Sequence, residues 1–302
     1  MGLATRARPR LGCGLVTDET STSEPTASSA AVTYASYLEV PGLLALQHPR
    51  SRQADGLPEH DELLFITIHQ VYELWFKQVL HELRGDEARP GEGGVQGALA
   101  DDDAYGALSL LGRVLTILKT LVKQVDVLET MTPLQFNSFR ARLESASGFQ
   151  SGQFRELEAV LGRRDPRLLT TAVPADPIWD RVRAAVQRPS VWGSFLRFLA
   201  DRGHAIPQHV LDQDPFLPYE PDEGVRHALV AVYRGDDAAA LIAERLVDLD
   251  EGLQEWRYRH VKMVERTIGH KQGTGGSSGA AYLASTLFTP LFPDLWEVRA
   301  QF

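Results

Sequence analysis

Apolar residues recur at intervals of three and four along three long stretches of this chain. No segment sustains the alternation by two that a half-buried strand requires. That periodicity dictates helices with one buried face, so the fold class it predicts is all-α: a bundle of long helices with crossing cores. The first stretch, Asp61 to Leu83, puts Phe65, His69, Tyr72, Phe76, Leu80 and Leu83 on one face. On another face Glu73 and Lys77 stand one turn apart and read as an ion pair. The second stretch, Ala104 to Glu129, turns Leu111, Leu115, Leu118, Val122 and Val125 inward. The third begins near Asp236 and carries Leu246, Leu249, Leu253, Trp256, His260 and Val264 on its buried side.

Two buried faces therefore carry a histidine. An inward imidazole can bond a metal through one ring nitrogen while a partner holds the other, although a lone histidine on an apolar face is more often a hydrogen-bonded core residue. Beyond His260 the chain runs into Gly273-Thr274 and a further Gly-Gly-Ser-Ser-Gly. Such a segment can close its backbone N–H groups over a small anionic ligand, and it reads equally as a plain linker. It is not a phosphate loop, since no Gly-Lys-Ser/Thr follows, and Gly273, Gly275 and Gly279 miss the dinucleotide spacing. Nor does His81-Glu82 open a zinc-protease motif, because Gly85 stands where the second histidine belongs.

A chain of 302 residues can bury a sizeable core, and its formal charge of −9 opposes a nucleic-acid or anionic-membrane partner. No apolar run approaches the ~20 residues of a membrane span. Cys13 is the single cysteine, which excludes an intrachain disulfide, a cysteine-rich zinc site and covalent haem attachment, and fits a reducing cytoplasm. Residues 1–30, with Arg6, Arg8 and Arg10 ahead of a Thr/Ser/Ala-rich run, read as a disordered tail. Residues 31–302 read as one domain. It opens on Tyr34, Tyr37 and Leu38, an aromatic segment that can dock on its own core or on a neighbouring subunit. Gly85 to Asp103 reads as a mobile surface loop. Thr132-Pro133 starts a helix on which Phe136 and Arg140 lie one turn apart. Residues 174–221 read as a helical insertion, with short helices near 176–187 and 190–202.

With both histidine helices in view, the chain resembles the tryptophan 2,3-dioxygenase family of haem-dependent aromatic oxygenases. The resemblance rests on Phe65-Ile-Thr-Ile-His69-Gln-Val-Tyr-Glu-Leu-Trp-Phe-Lys77, Met131-Thr-Pro-Leu-Gln-Phe-Asn-Ser-Phe-Arg140, Ser147-Gly-Phe-Gln-Ser151, and Trp256-Arg-Tyr-Arg-His260 through Gly279, in that order. It implies haem b, active in the ferrous form, an α-helical homotetramer, and conversion of L-tryptophan to N-formylkynurenine with dioxygen. It further implies that His260 is the proximal iron ligand, that His69 accepts the indole N–H, and that Arg140 clamps the substrate carboxylate. Phe65 and Phe136 would line the indole slot, and Gly273 and Thr274 would close over the amino-acid end. Tyr34, Tyr37 and Leu38 would reach into a neighbouring subunit's site. Phe136 stands where some bacterial members carry tyrosine and others phenylalanine.

Other readings stay open at this point. A haem monooxygenase of the same superfamily would stop at an oxindole of a substituted tryptophan. A non-catalytic haem-binding sensor or store is opposed by Arg140 and the Thr274 loop, for which a pure haem binder has no need. A helical scaffold without haem is opposed by the two inward histidines.

Overall fold

The computed structural model describes residues 31–86, 88–89, 91–144, 146–165, 177–269, 271 and 283–302. Residues 1–30, Gly273 and Thr274 lie outside that set. Among the described residues there is no strand, only an isolated bridge between Arg52 and Pro58. The all-α expectation holds.

The chain divides into two compact units at Leu46/Gln47. In the first, Thr33 and Ser36 form a capping box that starts α1 (Tyr34–Tyr37), and α2 (Val40–Leu44) follows. Tyr34, Tyr37 and Leu38 are exposed.

The second unit contains α3 (His60–Arg84), α4 (Gly94–Ala100), α5 (Ala104–Leu128), α6 (Pro133–Arg140), α7 (Gly152–Leu161), α8 (Ile178–Val186), α9 (Val191–Asp201), α10 (Gln208–Leu211), α11 (Glu223–Gly235), α12 (Asp237–Ile268) and α13 (Pro293–Glu297). α5 is the spine, packed against α3, α4 and α12. Neighbours on several sides explain a shift from the expected stripe. Leu111, Leu118 and Val125 are buried as foreseen, but so are Val114, Ile117 and Leu121, while Leu115 and Val122 are only half-buried. α5 has 25 residues and a stretch with a mean hydropathy of 1.4, long and apolar enough to cross a membrane by length and composition alone, although Arg113 and Lys119 interrupt it. Leu111, Val114, Ile117, Leu118 and Leu121 are buried against the helices around it.

The two short helices expected after residue 174 are α8 and α9. α8 packs on α7, and α9 packs on α4 and α7, so Trp192, Phe195 and Phe198 join the same core as Phe76 and Leu111. Buried charges tie the elements together. Glu156 of α7 lies 2.8 Å from Arg84 and 3.0 Å from Arg181. Asp250 of α12 accepts from Leu291 N (2.8 Å), Phe292 N (3.2 Å) and Trp296 Nε1 (2.9 Å), which pins the C-terminal segment to that helix.

Gly85 to Asp103 is not a mobile loop throughout, because α4 occupies its centre. Val95 and Leu99 are buried one turn apart, a stripe too short and too diluted by glycine to stand out in the sequence. Glycine is what lets α4 dock. Gly94 sits at φ +61°, and a Cβ there would lie 2.6 Å from Glu82 O and Gly85 N. Gly94→Ala is therefore expected to destabilise the protein by about 1–3 kcal/mol. Gly112→Ala, in the interior of α5 with nothing within 4 Å of the new methyl, should stabilise it by about 0.5–1 kcal/mol. Thermal unfolding of the two variants should show shifts of opposite sign; a neutral Gly94→Ala would remove the close-approach argument.

Candidate active site

α3 and α12 both lean on α5, and α6 packs against α3 and α12. Between them lies a cavity of about 280 Å³ lined by His69, His260, Phe65, Phe136, Arg140 and Trp256, among others. The two histidines, 191 positions apart by their numbers, thus face one space. A larger cleft of about 480 Å³ opens around Arg164, Trp192 and Arg197, but no histidine lines it, so the chemistry points to the smaller cavity.

One wall is aromatic. The Phe65 and Phe136 ring centroids are 5.8 Å apart, and Phe139 backs both at 5.5 and 5.4 Å with edge-on geometry. Phe65 also lies 4.1 Å from the His69 ring. Such a wall suits a flat apolar ring. α6 is held in register by Thr132 and Gln135, a capping box in which Thr132 N donates to Gln135 Oε1 at 2.8 Å, with Pro133 in the first turn. That anchoring sets Phe136 and Arg140, one turn apart, on the cavity side.

The state of His69 follows from its partners. Nδ1 lies 2.7 Å from Phe65 O. A carbonyl only accepts, so Nδ1 carries the hydrogen and Nε2 keeps its lone pair. Burial holds the imidazole below its ordinary pKa, against smaller opposing effects of the Phe65 carbonyl and the Glu73 charge. His69 is thus a neutral acceptor at physiological pH. In His260 burial, with a smaller effect from the neighbouring His69 imidazole when both rings would be protonated, pushes the pKa down to about 4. Its ring stacks on Trp256, with centroids 5.4 Å apart and planes 14° from parallel. Trp256 is itself packed by Tyr72, Phe76 and Phe154. Among the described residues no polar group bonds the His260 imidazole, which leaves a neutral nitrogen donor facing an apolar cavity.

A family model described as tryptophan 2,3-dioxygenase matches residues 18–172 and 194–302. The chain belongs to the tryptophan 2,3-dioxygenase family. It is 59% identical over 279 residues to the tryptophan 2,3-dioxygenase of Anaeromyxobacter dehalogenans (strain 2CP-C), covering 92% of this chain and 98% of the relative. To the tryptophan 2,3-dioxygenase of Herpetosiphon aurantiacus it is 56% identical over 272 residues, 90% of this chain and 99% of the relative. The corresponding protein of Burkholderia pseudomallei (strain 668) is 42% identical over 274 residues, 90% of this chain and 85% of the relative.

In this member of the tryptophan 2,3-dioxygenase family, Phe65, His69, Phe136, Arg140 and His260 come together at one cavity. Tyr34, Tyr37 and Leu38 belong to the first compact unit, and Gly273 and Thr274 lie outside the described residues. One pairing is corrected: Glu73 does not pair with Lys77 but lines the cavity, where Gln153 Nε2 donates to its carboxylate at 2.9 Å and to its own carbonyl at 2.9 Å. The side chain turns toward α7 because that helix packs against α3. Other lining residues had no role assigned from sequence. Tyr72 donates its hydroxyl to Leu121 O at 2.7 Å, and burial raises its pKa to about 12. Ser151 caps α7 by accepting from Phe154 N. Arg155, Glu158 and Arg257 form a buried charged group on the cavity edge. The only sequence signal for that group was the three-residue spacing of Arg155 and Glu158, which reads as readily as a solvated surface pair.

Proposed function

We propose that this protein cleaves the indole C2–C3 bond of L-tryptophan with dioxygen to give N-formylkynurenine, the entry to the kynurenine route of tryptophan breakdown. The observation that carries the reading is the meeting of His69 and His260 at one cavity beside the Phe65/Phe136 wall and Arg140. The cavity also suits haem b: it is largely apolar and offers one neutral imidazole that no polar side chain claims among the described residues. His260 would hold the haem iron through its neutral imidazole. The haem supplies dioxygen activation.

The protein's own residues do the rest. Phe65 and Phe136 hold the indole flat. His69 Nε2 accepts the indole N–H, and its Nδ1 bond to Phe65 O keeps the imidazole in the tautomer that can do so. Arg140 pairs with the substrate carboxylate, its planar fork matching two oxygens. The aromatic lining keeps water from the reacting bond. Gly273 and Thr274 would cover the amino-acid end. Tyr34, Tyr37 and Leu38 would complete a neighbouring site in a cytoplasmic homotetramer, a reading supported by their exposure and their aromatic character.

The test is the product formed by ferrous enzyme, L-tryptophan and ¹⁸O₂. Mass spectrometry should show both oxygen atoms in N-formylkynurenine. A single labelled atom in an oxindole would replace this reading with a monooxygenase; unchanged tryptophan from haem-loaded protein would leave only a binder.

A further inference from the structure

We propose that Arg155 and Arg257 bind the carboxylates of the cavity's cofactor, with Glu158 holding the two guanidiniums in position. The inference rests on the haem reading, since haem would bring two propionates into a largely apolar cavity.

Arg257, Glu158 and Arg155 all line the cavity and all are buried, with relative exposures of 5%, 2% and 8%. Arg257 lies three residues before His260 on α12, so the two side chains share a face of the helix. A cofactor held by His260 would have Arg257 within reach on the same face of α12. Arg155 approaches from α7.

The two arginines share one carboxylate. Arg257 Nη2 donates to Glu158 Oε1 at 2.9 Å, and Arg155 Nη1 donates to Glu158 Oε2. Arg163 adds a third guanidinium 3.6 Å from Glu158. The other nearby carboxylate on α12, Asp250, is turned to the backbone N–H groups of Leu291 and Phe292 and to the Trp296 indole. Two buried cations facing one anion is a costly arrangement unless further negative charge arrives.

The donors confirm the shortfall. Among the described residues Arg155 donates from Nη1 to Glu158, while its Nε is inaccessible and has no hydrogen-bond partner. Arg257, among the described residues, donates to Glu158 and makes a long contact, 3.4 Å, to Thr286 O. The Arg155 guanidinium is held over the rings of Phe149 and Phe154, 4.9 and 5.0 Å from their centroids. A guanidinium fixed in dry surroundings recognises a carboxylate well. The amino-acid substrate also carries a carboxylate, but Arg140 on α6 serves that end. Arg155 and Arg257 stand on the two other helices, one of which carries the iron ligand.

The experiment compares haem with haem dimethyl ester, in which both propionates are masked, in reconstituted full-length protein. Release to excess apomyoglobin is followed by absorbance. The unmodified protein should lose the diester at least about tenfold faster than haem. Arg155→Met, which leaves Arg257 in place, should bring haem release part of the way to the diester rate and leave the diester rate where it was. Equal release of haem and diester from unmodified protein overturns the proposal while the haem reading stands, and that comparison needs no variant to fold. Uptake of neither molecule overturns both. A final arm measures the preference of loaded enzyme for tryptophan over tryptamine. It should be unchanged in Arg155→Met; collapse of that preference with haem release unaltered would assign these arginines to the substrate and overturn the proposal.

Discussion

His260→Ala is expected to leave the helices in place and the haem behind. In the proposed reading His260 is the sole protein ligand of the iron, and removing a sole metal ligand should weaken haem retention by at least about 100-fold, beyond the 10–100-fold typical of losing a group that merely supports a ligand. The fold should tolerate the change. His260 is half-buried, its imidazole has no hydrogen-bond partner among the described residues, and its packing is a stacked contact with Trp256. Losing that contact costs on the order of 1 kcal/mol, and alanine is a good helix former, which offsets part of it. Helical circular dichroism should therefore match the unmodified protein while the haem absorption band is lost on gel filtration. His69→Ala is the internal control. It removes an acceptor that never touches the iron in this reading, so haem should stay and turnover of tryptophan should fall. Full haem occupancy in His260→Ala, or loss of haem from His69→Ala alone, would exchange or abolish the two roles.

The histidine helices were legible because each buried face is long enough for the 3.6-residue period to show. Phe65, His69 and Phe76 on α3, and Trp256 and His260 on α12, could be placed on their faces before any coordinates. What periodicity cannot convey is which faces meet. That His69 and His260 share a cavity depends on α5 lying against both helices, and only the resemblance to a family anticipated it. α4 was missed because seven residues with two glycines carry too few apolar positions to show a period, although Gly85 and Gly94 are what permit its docking. The sequence pairs Glu73 with Lys77 because i,i+4 charge pairs are the default for an isolated helix; the packed neighbour α7 offers Gln153 instead. The Arg155, Glu158 and Arg257 group was invisible for a related reason. Charged residues read as solvated unless something marks their burial, and its marks, α7 against α3 and the partnership across to α12, are tertiary.

Arg140→Ala is expected to raise the tryptophan concentration needed for half-maximal turnover by orders of magnitude. Breaking a desolvated guanidinium–carboxylate pair typically costs roughly 2–5 kcal/mol, and Arg140 ends α6 half-buried on the cavity wall one turn from Phe136. Its planar fork can present two donors to one carboxylate, whereas a lysine presents a point charge, so Arg140→Lys should recover only part of the loss. Arg140 has other contacts within the chain, and the measurement must therefore separate a substrate role from a folding role. Tryptamine does so, since it keeps the indole and the amine but has no carboxylate. Unmodified enzyme should handle tryptamine poorly, and Arg140→Ala should lose little further activity on it. If the losses on tryptophan and tryptamine were equal, and thermal unfolding fell with them, Arg140 would be acting through the end of α6. A selective loss on tryptophan at unchanged stability and unchanged haem content places the guanidinium on the carboxylate, because no other part of the substrate differs between the two compounds.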